Sequence, residues 1–275
     1  MKICKTIAEF RAARAALPAL GVVPTMGFLH EGHLSLVRRA KAECGAAAVT
    51  IFVNPTQFAP HEDFGRYPRA LARDLEQIEA AGADLAFTPE VGEIYPDGYD
   101  VRVEVGGVTE RLEGAIRPVH FTGVATVVAK LFNITQPTQA YFGQKDAQQC
   151  VVIRKLVRDL NFPSEVVICP TVREADGLAM SSRNAYLDPV QRQRAPVLYR
   201  ALKAAEARHA GGETSAEALR AVIHDTLAQV PEAGVDYVSV ADPNTLEELD
   251  RVADGALVSL AVRFGATRLI DNIRL

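Results

Sequence analysis

The sequence predicts an α/β protein: a Rossmann-like, doubly wound parallel sheet followed by a smaller α+β domain. Three observations carry that prediction. The runs Leu20–Pro24 and Ala46–Val53 are near-continuously apolar, as in strands buried on both faces. Between them Leu34, Leu36, Val37, Ala40 and Lys41 recur at helical spacing, and the pattern stops near Gly45. Strand, helix and strand within about thirty residues make a βαβ unit, and hence a parallel pair.

The remaining elements follow in order. Residues 5–16 carry Ile7, Phe10 and Leu17 on one helical side. His61 through Arg66 reads as a polar loop, 70–81 as a helix and Asp84–Pro89 as a short strand. Asp100–Val105 alternates like an edge strand, turned by Gly106-Gly107. Leu112–Gly123 is loop-rich, with Arg117, Pro118 and His120, and leads into a strongly apolar helix from Thr122 to Asn133. Gln139–Phe142 is a strand, Ala147–Leu160 a helix, and Glu165–Cys169 the next parallel strand, giving five or six in all. Behind residue 184 come two long Ala/Arg/Glu helices, Pro189–Ala210 and Thr214–Val230. A strand at Val235–Val240, a short helix from Asn244 and two further strands, Ala256–Phe264 and Arg268–Ile273, complete the chain. We place the larger domain at 1–184 and the smaller at 185–275.

With 275 residues, 48% apolar and 23% charged, the chain has the composition of an ordinary soluble globular protein of one large or two modest domains. A formal charge of −4 leaves no basic footprint for nucleic acid. Cys4, Cys44, Cys150 and Cys169 lack paired spacing and read as reduced thiols. No stretch reaches membrane-spanning length and no apolar signal core opens the chain, so a cytoplasmic location is expected.

Four corners hold the chemistry. The first is Pro24-Thr25-Met26-Gly27-Phe28-Leu29-His30-Glu31-Gly32-His33, on a strand-to-helix turn. Gly27 and Gly32 permit tight turning and close approach of a ligand. The following helix aims unpaired N–H groups and its positive dipole end at the turn, which suits phosphate. Two histidines three apart share a face; as half of a metal site they lack an obvious third ligand, and as surface residues they would not need the glycine context. At the carboxyl edge of the next strand, where open α/β sheets bind ligands, stand Asn54-Pro55-Thr56-Gln57-Phe58, which turn chemistry alone also accommodates. Gly143-Gln144-Lys145-Asp146 forms a second strand–turn–helix corner, with Gln148 and Gln149 in the first helical turn. Lys145 there can neutralise phosphate as a point charge, while Asp146 reads equally as a helix cap. Met180-Ser181-Ser182-Arg183-Asn184 sets two hydroxyls beside a guanidinium fork, again suited to phosphate oxygens, though a triplet alone is an ordinary surface loop.

Together, in this order and spacing, the four motifs closely resemble the pantoate–β-alanine ligase family of the nucleotidyltransferase superfamily. The resemblance spans essentially the whole chain, including the ending Thr267-Arg268-Leu269-Ile270-Asp271-Asn272. It implies condensation of (R)-pantoate with β-alanine to pantothenate, on the way to coenzyme A. The reaction would pass through a pantoyl adenylate and use ATP with Mg2+. By the same resemblance Met26–His33, Gly143–Asp146, Val172 and Met180–Arg183 would bind ATP, with His30, His33, Lys145 and Arg183 catalytic. Gln57 would meet pantoate and β-alanine, Gln149 pantoate, Asn54 would join the substrate site, and Asp74 would stand beside the magnesium. A homodimer is implied too. The chain departs from the family's pattern at Thr56 (usually Met), Gln144 (frequently Glu), Phe28 (usually smaller) and Arg73, where an acidic residue is common. A nucleotidyltransferase that stops at the conjugate is the nearest rival, and the Gln57 and Gln149 pair argues against it. A nucleotide-binding regulator on a retired enzyme fold would lack one of His30, His33, Lys145 or Arg183, and all four are present.

Overall fold

The computed structural model describes residues 1–60 and 62–275; His61, in the expected polar loop, lies outside the described residues. Two compact units make up the chain: Met1–Gly143 with Val152–Cys169, and Gln144–Val151 with Pro170–Leu275. The sequence-based boundary near 184 thus stands against a division at 169/170. Asn272 bonds the start of the 144–151 segment within the second unit. Asn272 donates through Nδ2 to the carbonyls of Gln144 (3.0 Å) and Lys145 (2.8 Å), and its Oδ1 accepts from Gln144 Nε2 at 3.0 Å.

In the first unit a six-stranded parallel sheet runs β1 (Lys2–Cys4), β4 (Leu85–Phe87), β3 (Ala47–Ile51), β2 (Gly21–Thr25), β5 (Gln139–Gly143), β6 (Glu165–Cys169). The strand β1 is too short to show a period and is absent from the sequence reading. Strand β2 pairs in register with β3 on one side, Gly21 opposite Ala47, and with β5 on the other, Gly21 opposite Gln139. It is therefore the point where the winding direction switches, and ligands bind beyond the carboxyl end of such a strand.

Six helices flank this sheet among the described residues before β5: α1 (Ile7–Arg14), α2 (Glu31–Cys44), α3 (Leu71–Ala80), α4 (Val91–Ile94), α5 (Glu113–Ile116) and α6 (His120–Thr135). Thr6 and Glu9 close a capping box at the start of α1, and Gly45 ends α2 in the left-handed region with φ 75°. A Cβ on Gly21 would come within 2.8 Å of the Ala40 Cβ. Glycine there lets α2 lie close against β2. Helix α6 is buried over nearly all its length, as its all-round apolar sequence requires. The expected edge strand 100–105 joins no ladder among the described residues. Its Val103 N–H donates instead to Thr126 Oγ1 on α6, at 2.9 Å.

The second unit takes in the start of α7 (Ala147–Asp159), then α8 (Pro189–Arg194), α9 (Val197–Ala210) and α10 (Ala216–Leu227). These precede an antiparallel sheet of β7 (Ala233–Ala241), β8 (Leu257–Phe264) and β9 (Thr267–Arg274), in that order. Leu198, Leu202, Leu219, Ile223, Val258 and Leu260 belong to its core. The single helix expected over 189–210 is two, because Pro196 supplies no N–H to continue the ladder. No helix begins at Asn244. Asp242 Oδ1 accepts from the amides of Asn244 and Thr245, both at 2.8 Å, and makes a turn of the segment.

A buried ion pair braces this unit. The Arg173 guanidinium donates to both oxygens of Asp271, at 2.6 and 2.9 Å, and lies 3.8 Å from the ring centre of Tyr199. The Asp271 side chain is 1% exposed. Among the described residues no helix is long and apolar enough to cross a membrane, and the four cysteines are unbridged. Replacing Arg173 with Met strands a buried carboxylate, and we expect a loss of about 3–5 kcal/mol in a urea unfolding titration.

Candidate active site

The first corner lies directly beyond the carboxyl end of β2. Two of its residues take left-handed backbone: Gly27 at φ 83° and Phe28 at φ 49°. For a phenylalanine that conformation is strained. What holds it is Asp74 on α3, whose Oδ2 accepts the Phe28 N–H at 2.7 Å and whose Oδ1 accepts the Leu29 N–H at 2.8 Å. Arg73 completes the grip: it donates to the Leu29 carbonyl at 2.8 Å and its guanidinium lies 4.7 Å from the centre of the Phe28 ring. A Cβ on Gly27 would sit 3.1 Å from Asp74 Oδ2, so the carboxylate needs glycine beside it. Gly32, read from sequence as a turning residue, lies within the first turn of α2 instead.

His30 is the N-cap of α2 and His33 its third residue. Their rings stand 4.1 Å apart between centres. The His30 backbone N–H donates to His33 Nδ1 at 3.3 Å. A backbone amide can only donate, so Nδ1 of His33 is the acceptor and the neutral ring carries its proton on Nε2. His33 thereby presents a donor at the end of a helix whose N-terminal N–H groups already favour an anion. Glu31, at the start of α2, is engaged by Arg38 further along the same helix, which holds its carboxyl below the usual range.

The second corner follows β3. Asn54 is 1% exposed, and each polar end of its side chain is occupied. Its Nδ2 donates to Gln57 Oε1 (3.0 Å) and the Gly123 carbonyl (3.1 Å), and its Oδ1 accepts from Tyr95 Oη (2.8 Å) and Thr56 Oγ1 (3.0 Å). The Gln57 Nε2 donates to Met26 Sδ at 3.1 Å, a weak acceptor. Helix α6 approaches this loop so closely that a Cβ on Gly123 would meet the Thr56 carbonyl at 2.4 Å. The Gln57 carbonyl accepts at 3.1 Å from Nδ1 of His120, the first residue of α6. Burial, reinforced by Arg117, pushes the pKa of His120 down to about 4, so the ring is neutral near pH 7.

In the second unit Lys145 lies in a one-turn 3-10 helix after β5, its Nζ 3.5 Å from Asp146 Oδ1. Gln149 stands half-buried in the first turn of α7. The Val172 carbonyl accepts the Met180 N–H at 3.0 Å. Ser181 opens the short helix Ser182–Tyr186, its Oγ accepting from the Arg183 N–H at 3.3 Å. Lys145, Ser181 and Asn184 border one cavity of about 10 Å3, the room one water needs.

These corners have counterparts among known proteins. A family model described as pantoate-beta-alanine ligase matches residues 2–274. The chain belongs to that family. It is 64% identical over 273 residues to the pantothenate synthetase of Chloroflexus aggregans, covering 99% of each. It is 54% identical over 275 residues to that of Gluconobacter oxydans, covering all of both. The crystal structure of pantothenate synthetase from Thermus thermophilus superposes with a TM-score of 0.95 at 52% identity, over 99% of both chains. The Francisella tularensis pantoate-beta-alanine ligase, crystallised with beta-gamma ATP and beta-alanine, superposes at 0.82 and 35% identity, over 100% of this chain and 97% of that one.

The positions expected to depart from the family's pattern each have a definite contact here. Arg73 and Phe28 pack on each other. Thr56 supplies a hydroxyl to Asn54, and Gln144 supplies the amide N–H that Asn272 accepts. Asp74, expected beside magnesium, is 1% exposed with both oxygens engaged by loop amides. Among the described residues no group of three or more His, Cys, Asp or Glu is placed to hold a metal. These residues do not fit a resident magnesium; Asp74 is a backbone clamp. Sequence reading passed over Tyr95 and gave His120 no role. Neither sits in a motif, and only the fold brings them to Asn54 and Gln57.

Two outcomes are expected. Asp74→Asn leaves one loop N–H facing an NH2, and we expect a stability loss of about 1–3 kcal/mol. Mn2+ titration of nucleotide-free protein by EPR should be the same in wild type and variant; a site lost on substitution would return Asp74 to the metal. Because the folded His120 titrates about 4 against 6.5 in the unfolded chain, the unfolded state binds more protons between those values. Stability is then full above about pH 6.5 and falls as pH drops toward 4, by on the order of 3 kcal/mol from this group. Urea titrations at pH 5 and 7 should show the slope flattened in His120→Asn.

Proposed function

We propose that the protein condenses (R)-pantoate with β-alanine at the expense of ATP. A pantoate carboxylate oxygen attacks the α-phosphorus, the bond to the β-phosphate bridging oxygen breaks, and pyrophosphate leaves. The amine of β-alanine then attacks the acyl carbon of the pantoyl adenylate, AMP departs and the amine gives up a proton. The observation that carries the reading is the family match from residue 2 to 274, with His30, His33, Lys145 and Arg183 all present.

The residue roles are those the family resemblance implies, and the chemistry of each side chain suits its role. Neither half-reaction asks the protein for a covalent bond, so positioning and charge stabilisation are its contribution. The turn Met26–His33 and the N-terminus of α2 would bind the ATP phosphates. The Nε2–H of His33 would donate to the charge that gathers on the departing pyrophosphate, with His30 beside it. Lys145 and Arg183 would supply full positive charge to the phosphates, Ser181 and Ser182 hydroxyl donors. Gly143, Gln144, Asp146, Val172 and Met180 would contact the nucleotide. Gln57 and Gln149 would hold pantoate through amides that add no charge, Gln57 bordering the β-alanine position, with Asn54 behind it. Magnesium in this reading arrives with the nucleotide, keeping several waters as it commonly does. A homodimer in the cytoplasm completes the proposal; light scattering of the purified protein tests the dimer.

The assay is AMP release from ATP, magnesium and D-pantoate with and without β-alanine. AMP that appears only with β-alanine, matched by pantothenate, is the expected result. Pyrophosphate without amide would favour a transferase that stops at the conjugate. His33→Ala should lower the adenylation rate by roughly 10²–10⁴-fold in a folded protein, and near-normal turnover would remove His33 from the mechanism.

A further inference from the structure

A glutamine side chain can present either its carbonyl or its NH2 to a ligand, and the two ends differ at ordinary resolution only through their partners. At Gln57 the partners decide, because they lead back to backbone groups of fixed polarity. The Gly123 carbonyl can only accept, so the Asn54 atom 3.1 Å from it is the NH2. The Thr56 N–H can only donate, and it points at the other end of Asn54, at 3.4 Å. Asn54 therefore cannot be turned over. Its NH2 also meets Gln57 at 3.0 Å, and that atom of Gln57 must be the carbonyl oxygen. What remains for a ligand is the Gln57 NH2, whose one protein partner among the described residues is the Met26 thioether.

Behind Asn54 stands Tyr95. Its hydroxyl donates to Asn54 Oδ1 at 2.8 Å, the shortest contact this amide makes, and lies 3.3 Å from Thr56 Oγ1. The ring is wedged by Phe52 and Tyr99, with centre distances of 6.1 and 5.0 Å, and Lys130 Nζ stands 5.7 Å from its centre. Burial raises the hydroxyl's pKa to about 12, so it remains a donor at neutral pH. We propose that Tyr95 is a positioning residue for the ligation, acting through Asn54 to hold the Gln57 amide with its NH2 toward the acid substrate. Position 57 is then a fixed donor, and it selects an oxygen of a carboxylate or hydroxyl over any group that must itself donate. The inference rests on the reading that Gln57 meets pantoate.

The experiment is steady-state kinetics in D-pantoate for wild type, Tyr95→Phe, Gln57→Ala and the double variant, each checked for an unchanged melting transition. Tyr95→Phe keeps the ring and removes the donor. We expect its KM for pantoate to rise about tenfold, the size of one hydrogen bond to a buried acceptor, with the KM for ATP little changed. In the Gln57→Ala background the same substitution should add nothing, since Tyr95 acts through the side chain that is gone. An independent, multiplying effect in the double variant overturns the relay, as does a normal pantoate KM in Tyr95→Phe beside an impaired Gln57→Ala. A normal pantoate KM in Gln57→Ala overturns the substrate assignment of Gln57 itself, and the proposal with it.

Discussion

The carboxylate of Asp74 is where the turn after β2 is decided. A loop that leaves a buried strand and enters a helix within a few residues has backbone N–H groups pointing inward, and water cannot reach them there. Asp74 accepts two of them from α3, though 46 and 45 residues away in sequence. With those donors satisfied, Phe28 can remain in a conformation it would not choose alone. The rigid turn then delivers His30 to the helix cap and His33 to the position where a backbone amide sets its tautomer. For an anion this corner has the N-terminal N–H groups of α2 and the histidine rings to offer, because the turn's own amides at 28 and 29 are already taken by Asp74.

A similar economy governs the corner after β3. Asn54 is buried and saturated, His120 and Gly123 of α6 press on the peptide of Gln57, and among the described residues of this corner the Gln57 NH2 is left with a weak partner. Polar groups in such places cost free energy unless bonded. A fully bonded set, in turn, has one arrangement and not several. The proposed recognition of a small, oxygen-rich acid at Gln57 depends on that single arrangement.

Much of this was legible in the sequence, for reasons that differ by element. The strands β2, β3 and β5 and the helices α2 and α3 follow from hydrophobic period and from glycine at their ends, which are local signals. The motifs at Gly27–His33, Asn54–Gln57, Lys145 and Ser181–Arg183 are contiguous, so a single chain displays them. What escaped was non-local. Strand β1 is three residues long. The extended segment at 100–105 has strand-like alternation, but Val103 finds Thr126 Oγ1 before any strand finds it. The helix break at Pro196 was readable from its missing N–H and was overridden by the surrounding helix formers. The roles of Tyr95, His120 and Asp74 depend on partners far away along the chain, and no spacing rule announces them.

The packing of Arg73 on Phe28 couples two positions that lie far apart in the sequence. A large aromatic in the left-handed turn and a guanidinium on α3 form a packed pair, each resting on the other. The bulky ring gains a lid from the arginine, while the arginine gains a flat surface and the Leu29 carbonyl from the turn. Replacing either residue alone would leave the other without its counterpart.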